Sequence, residues 1–241
     1  MVRCPTALSV VLFLPVWVLG GVGSVLAQDA ASSADQPMVS FTQDFPASTP
    51  SHYSLRVSKD GKASYESVGK LTPEADGDPF AYNFTLSSDS VALVFELAAT
   101  AKYFARDVDY KKGNLANTGK KVLAYEDSAR HYKTEYNYSS HQEIQQLTKL
   151  FQGIALTMEF ARHLQFFKRY QPLALEGDLK RMEEMAKDND LRELQAVAPV
   201  LREIADDKSI LNVSRVRAQR LLVLAGPSAA ASPASSPETA R

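Results

Sequence analysis

Thiol chemistry is the first thing this chain lacks. Among 241 residues there is a single cysteine, Cys4, and it sits ahead of an apolar run. No disulfide, cysteine nucleophile or thiolate metal site is therefore open to the rest of the chain. An excess of one charge is missing as well: 27 Lys and Arg stand against 28 Asp and Glu, a net charge of −1 at pH 7. That balance removes the electrostatic case for a nucleic-acid partner. Past residue 27, no stretch approaches the ~20 apolar residues of a membrane-spanning helix.

Familiar catalytic signatures are absent too. There is no Gly-x-Ser-x-Gly elbow and no Ser-x-x-Lys with its partner motifs. There is no Gly-x4-Gly-Lys phosphate loop and no Gly-x-Gly-x-x-Gly fingerprint. The histidines are His52, His131, His141 and His163. His141-Gln-Glu143 shares letters with a zinc metalloprotease helix, but that site needs His-Glu-x-x-His on one face. Positions 142 and 145 are both Gln, so His141 reads as a helix-start residue. His163 shares its helix with Arg162, Lys168 and Arg169, a pattern that predicts a solvated stripe. Asp76-Gly-Asp78 with Glu74 offers fewer oxygens than a calcium loop supplies and reads as a polar turn. No catalytic residue, metal ligand or cofactor is assigned.

What is present begins with an address. Residues 1–27 combine Arg3, an apolar run from Ala7 to Val18, glycines at 20, 21 and 23, and Val25-Leu26-Ala27. This is the layout of a secretory signal peptide, with cleavage expected after Ala27. The expected mature protein is secreted or periplasmic and free of cysteine. Membrane contact follows only if the segment stays uncleaved.

Residues 28–50 are rich in Ala, Ser, Asp and Pro and read as a flexible linker, with Phe41 and Phe45 touching the core. Residues 225–241 are Ala, Ser and Pro of low complexity, the composition of a disordered tail. Between them the chain changes character once. Residues 51–139 read as antiparallel β with one helix, and 140–224 as helical. The expected fold class is α+β: an N-terminal antiparallel sheet with one packed helix, then three to four helices.

The local signals are specific. Tyr53, Leu55 and Val57 alternate along one strand face. Asp60-Gly61 follows as a turn pair, and Ala63–Ser67 returns. Phe80, Tyr82, Phe84 and Leu86 mark a third strand. Ser87 or Ser88 can cap a helix running to about Ala105. Lys120–Glu126 and His131–Ser139 form a second hairpin. Ser140-His-Gln-Glu143 has the form of a capping box and opens a helix to about Tyr170. At ~45 Å that helix spans the molecule or bends near Gly153. Further helices are expected at 173–187, at 190–206 with Asp190 as cap and a kink or fresh start at Pro199, and at 212–224 with Asn212 as cap. Arg215, Arg217 and Arg220 lie on the last of these, with Asp206-Asp207 as the neutralising acids.

The run HYSLRVSKDGKASYES at 52–67, the helix ending in Tyr103-Phe104 and the second hairpin leading into a helix resemble a small domain of unknown function found in exported bacterial proteins. The resemblance covers about 52–170. It implies export and this order of elements, and it implies no activity.

Tyrosine is the least ordinary component. Of 10 tyrosines, Tyr125, Tyr132, Tyr136 and Tyr138 fall in the second hairpin. Tyr132, Thr134, Tyr136 and Tyr138 share a face by period two. Such a row either packs under a helix or offers rings to a peptide or sugar. Tyr132, Tyr136 and Tyr138 are the candidate binding residues. The reading that follows is a non-catalytic interaction or scaffold module of the bacterial cell envelope, with an envelope protein or a glycan as partner. The alternatives are a hydrolase whose His and carboxylate meet on folding, and a periplasmic carrier of a small ligand.

Overall fold

Val39 and Phe41 alternate with Ser40 and Thr42, and this period-two pattern makes Met38–Asp44 a strand, β1. The computed structural model describes residues 36–71, 77–111 and 115–226. The expected leader at 1–27, the tail from 227 onward and the Glu74–Asp76 part of the polar turn lie outside the described residues. Strands β2 (His52–Ser58), β3 (Lys62–Gly69) and β4 (Asp78–Thr85) follow as an antiparallel meander. Helix α1 (Ser88–Thr100) comes next, then β5 (Lys120–Glu126) and β6 (His131–Tyr136). Four helices complete the chain: α2 (Gln142–Tyr170), α3 (Leu175–Lys187), α4 (Ala198–Asp206) and α5 (Asn212–Leu224). The protein is α+β, as its patterning predicts.

The sheet corrects one expectation. Its order is β4-β3-β2-β1-β5-β6, so residues 38–44, expected within a flexible linker, form a central strand. β1 pairs with β2 on one side and β5 on the other. It is the only described strand joining the first meander to the second hairpin. Val39 and Phe41 are fully buried. The linker-like composition belongs to the residues flanking 38–44, not to the strand itself.

One face of the sheet is a band of rings. Phe41, Tyr53, Tyr65 and Phe80, from four successive strands, lie with ring centroids 6.0, 6.0 and 6.3 Å apart. Helix α2 crosses this face. Phe151 stacks on Phe41 at 5.4 Å, Thr148 meets the Tyr136 hydroxyl of β6, and Glu159 meets Tyr65 of β3. From β6 to β3 is four strand spacings, ~19 Å. The 11 residues from Thr148 to Glu159 rise ~17 Å. The two lengths agree only if the helix runs nearly across the strands.

Helix α2 is continuous over 29 residues, through Gly153. Gly153 serves a close approach instead of a bend: a Cβ there would lie 2.8 Å from Arg192 Cγ and 2.9 Å from Asp190 O. Thr157 Oγ1 then donates to Arg192 O at 2.7 Å. Three caps also differ from expectation. The N-cap of α2 is His141 without a side-chain bond, so the Ser140 capping box does not form. Ser139 Oγ instead accepts the His141 N–H. Asp190 caps no helix, because 194–197 is a short 3-10 turn and Pro199 opens α4. Leu211, not Asn212, precedes α5.

The cap of α1 is Ser87, as expected, and it has help from far along the chain. Glu193 sits at φ 57° and brings its carboxylate to the helix start. It accepts from Ser87 N at 2.7 Å, Ser87 Oγ at 2.9 Å and Ser90 Oγ at 2.5 Å. A carboxylate there also meets the positive end of the helix dipole.

The charged residues of α2 and α5 are tied into the fold. Arg162, expected on a solvated stripe, is buried. It donates to Gly69 O at 2.7 Å and Asp78 O at 2.9 Å. Arg217 pairs with Glu176 and Glu183, and Arg220 lies 3.9 Å from Glu183. The acids of Arg217 and Arg220 thus come from α3, the packing neighbour of α5, while Arg215 donates to Ala205 O and acts on Asp207, the acid expected for it.

Candidate functional site

The second hairpin is held rigidly at both ends. At its turn, Asp127 accepts from Ala129 N, Arg130 N, Arg130 Nε and Tyr125 Oη at 2.7–3.0 Å. These bonds hold the Asp127 carboxyl down at about 2, against the burial that opposes them. Asp127 is a group with a depressed folded value, so its contribution is present above the ordinary carboxylate value of 3.8. It is lost as pH falls toward about 2. Tyrosine fluorescence of Tyr103 and Tyr125 is expected to change in that acid window, and Asp127→Ala is expected to flatten the change. A wild-type signal independent of pH there counts against this clasp.

Arg130 completes the turn by lying 3.9 Å over the Tyr103 ring and 5.2 Å from that of Tyr125. Tyr103 belongs to an unusual segment. Lys102, Tyr103 and Phe104 have φ of 56°, 55° and 66°, three consecutive non-glycine residues in the left-handed region. Each costs ~1–2 kcal/mol relative to a right-handed turn. The cation–π stack on Tyr103 and the burial of Phe104 hold it in place. This turn ends the helix earlier than Ala105 and redirects residues 105–111 toward β6.

At the open end of the hairpin, Lys121 is buried and, among the described residues, has no carboxylate partner. Its Nζ donates to Thr118 Oγ1 and Asn137 O at 2.9 Å, to Thr118 O at 3.2 Å and to Gly119 O at 3.3 Å. Burial lowers its pKa from the ordinary lysine value. Gly119 has φ 91°, and a Cβ there would lie 2.7 Å from Phe45 Cβ, so this junction fits only glycine. Asn137 fixes the same loop from the other side, accepting from Thr118 N and donating to Ala116 O.

Two adjoining depressions result, of about 470 and 360 Å³. Both are lined by Asp109 and Glu135; the larger adds Asp44, Lys120 and Asn137, and the smaller adds Asp107, Lys111 and Lys133. Lys120 pairs with Glu135 at 2.9 Å and Lys111 with Asp107 at 2.5 Å. These are exposed pairs, screened by solvent and of little energetic value.

The three candidate tyrosines separate. Tyr136 is 4% exposed and its hydroxyl bonds Thr148 Oγ1 at 2.6 Å. It belongs to the core under α2, and burial raises its pKa. Tyr132 and Tyr138 are each 43% exposed. Tyr138 lies past the end of β6, where alternation no longer holds, and its hydroxyl accepts from Gln145 Nε2. Pattern reading missed Tyr110. That ring is 39% exposed and stands edge-on to Tyr138 at 6.0 Å. Only its spacing from a strand end could have hinted at it, because 105–111 has no period of its own.

The histidines do not converge. His52 Nδ1 lies 2.5 Å from Asp44 Oδ1, and Asp44 lines the larger depression. Among the described residues no hydroxyl is bonded to that ring, so the pair lacks the nucleophile a hydrolytic triad requires. His163 bonds Asp178 of α3 at 3.1 Å, and His141 lies 3.6 Å from Glu143. Among the described residues no group of three metal-ligating side chains forms. Comparison with known proteins finds no family model and no curated protein that matches the chain.

Proposed function

We propose that this chain is an exported interaction module of the bacterial cell envelope, and that the outer rim of its second hairpin is the contact surface. The observation that carries the reading is the placement of Tyr110, Tyr132 and Tyr138. All three rings are open to solvent: Tyr132 on β6 near the turn, and Tyr110 and Tyr138 together beyond the end of β6, along the edge that bears two depressions. Tyrosine offers large rigid area with a polar tip, which suits a recognition surface. The leader-like residues 1–27 and the resemblance of 52–170 to a domain of exported bacterial proteins support the envelope location. At the open end of this rim the buried Lys121 is engaged by Thr118, Gly119 and Asn137, and these bonds hold the loop beside the rim in one shape.

The test uses the full chain with a photo-crosslinking amino acid at position 138, or at exposed Val223 on α5 as the comparison. The expected result is a processed N-terminus by mass spectrometry and a discrete adduct from 138 that is missing from 223. An intact initiator end on cytosolic protein would overturn the location. Equal labelling from both positions would overturn the surface.

A further inference from the structure

Backbone pairing in the second hairpin says which amides of β6 are spoken for. Residues facing each other in an antiparallel ladder alternate between pairs that exchange hydrogen bonds and pairs that do not. At the turn Asp127 N donates to Arg130 O at 2.9 Å, so that pair is bonded. Counting along the register, Tyr125–Tyr132, Leu123–Thr134 and Lys121–Tyr136 are bonded pairs as well. Glu126–His131, Ala124–Lys133 and Val122–Glu135 are the unbonded ones. The N–H and C=O groups of His131, Lys133 and Glu135 therefore point away from β5. β6 is the last strand of the sheet, so they point out of its edge. Among the described residues, no backbone group outside the sheet bonds them.

The next outward position is already met. Asn137 N donates to the Asp109 carboxylate at 3.0 Å, and Tyr110 N donates to Tyr138 O at 2.8 Å. Residues 109–110 thus begin to pair with the chain beyond β6 as a neighbouring strand would. Residues 105–108 then draw off, and the 360 Å³ depression separates them from Lys133, Thr134 and Glu135. The opposite edge of the sheet differs. β4 carries Pro79, which removes a donor, and its Asp78 carbonyl is held by Arg162. β6 contains neither proline nor glycine.

We infer that β6 receives an extended, acidic polypeptide segment of a partner as an additional strand. Its main chain pairs with His131, Lys133 and Glu135 in the gap left by residues 105–108. The acidic character follows from the charges there. The acids lining the gap are each engaged, Asp107 by Lys111, Glu135 by Lys120 and Asp109 by the Asn137 N–H, whereas Arg106 and Lys133 have no ion-pair partner among the described residues. In strand addition the main chain supplies affinity and alternate side chains supply selectivity. An acid facing Lys133 gains a cross-strand pair, and exposed Tyr132 is placed to cover the neighbouring side chain. The inference rests on the proposed interaction surface and names the kind of partner it takes.

The experiment uses the full chain and a labelled synthetic peptide of roughly six residues, alternating Thr and Val with one central Asp. Amide exchange and fluorescence anisotropy are read together. The peptide is expected to slow exchange at His131, Lys133 and Glu135 by roughly tenfold or more while leaving the amides of β4 unchanged. Lys133→Pro removes one outward N–H without touching a β5 bond and is expected to abolish binding. Lys133→Glu keeps the backbone and is expected to weaken binding roughly tenfold, with recovery when the peptide's Asp is replaced by Lys. Unchanged exchange at the three amides, or binding indifferent to both variants, would overturn strand addition. So would a chain dimer that Lys133→Pro dissociates, because β6 would then be occupied by a second copy. An adduct from position 138 alongside unchanged exchange would remove this inference and leave the interaction surface standing. Peptide protection without any adduct would do the reverse.

Discussion

Glu159→Ala is expected to cost about 3–5 kcal/mol of stability, the penalty for stripping one partner from a buried charged cluster. Glu159 is buried on α2 beneath the sheet. Its Oε1 accepts from Tyr65 Oη at 2.7 Å and from Ser67 Oγ at 2.6 Å. Its Oε2 lies 3.6 Å from Arg162 Nη1. Alanine at 159 leaves two hydroxyls without an acceptor and a buried guanidinium without its counter-charge. Burial, and then the Glu159 charge, push the Tyr65 hydroxyl well above the ordinary tyrosine range. Tyr65 is therefore the proton donor of the pair. Glu159→Gln keeps the acceptor and the shape, so its cost is expected to be smaller, about 1–2 kcal/mol. Urea midpoints with an unchanged denaturant slope measure both values. Equal losses for Ala and Gln would mean that the charge, and not the hydrogen bonds, holds the cluster. A loss below about 1 kcal/mol for Ala would remove its structural importance altogether.

Phe41→Ala is the second large effect, again about 3–5 kcal/mol. The ring is fully buried, stacks nearly parallel on Phe151 and touches the band of rings through Tyr53. Truncation opens a cavity where α2 meets the middle of the sheet, and rigid strands on both sides cannot collapse into it. Folded domains hold only ~5–15 kcal/mol in total, so the variant should sit near its unfolding limit at ambient temperature. Thermal unfolding followed by far-UV circular dichroism checks this. A shift of only a degree or two would contradict a central position for residues 38–44.

That second prediction concerns a residue that pattern reading assigned to a linker. Where polar and apolar residues alternated over a long enough run, as in 52–58 or 131–136, the strands were legible, and in 52–58 the buried face was legible too. Five helices were legible as well, because Val91, Val94 and Ala98, or Ile144, Leu147 and Phe151, repeat at helical steps. The seven residues of Met38–Asp44, set in Ala, Ser, Asp and Pro, gave too short a period to stand out from their flanks. The caps at Ser140, Asp190 and Asn212 failed for another reason. A capping side chain competes with backbone geometry set by packing at a distance, and Gly153 against Arg192 is such a constraint. Arg162 and Glu159 carry the letters of an exposed helix face, yet both are buried, because their partners on β3 and β4 are far away in sequence.

The candidate rim was half legible. Period two placed Tyr132 and Tyr136 on one face of a strand, and it extended that face to Tyr138, where the strand has already ended. The covering helix then buried Tyr136 and left Tyr132 near the hairpin turn open. Tyr110 came from a segment whose course is dictated by the left-handed turn at 102–104, and nothing in the local sequence announces three such residues in succession.

The position of β1 has a consequence for the order of assembly. Its pairing partners on β2 lie close by, but those on β5 follow about eighty residues later in the chain, a large separation for a two-sided strand. A chain emerging end first can form only the meander, with one flank of its hydrophobic first strand bare, until Glu126 appears. That bare flank is an unpaired strand edge carrying Val39 and Phe41, open to mispairing until β5 closes on it.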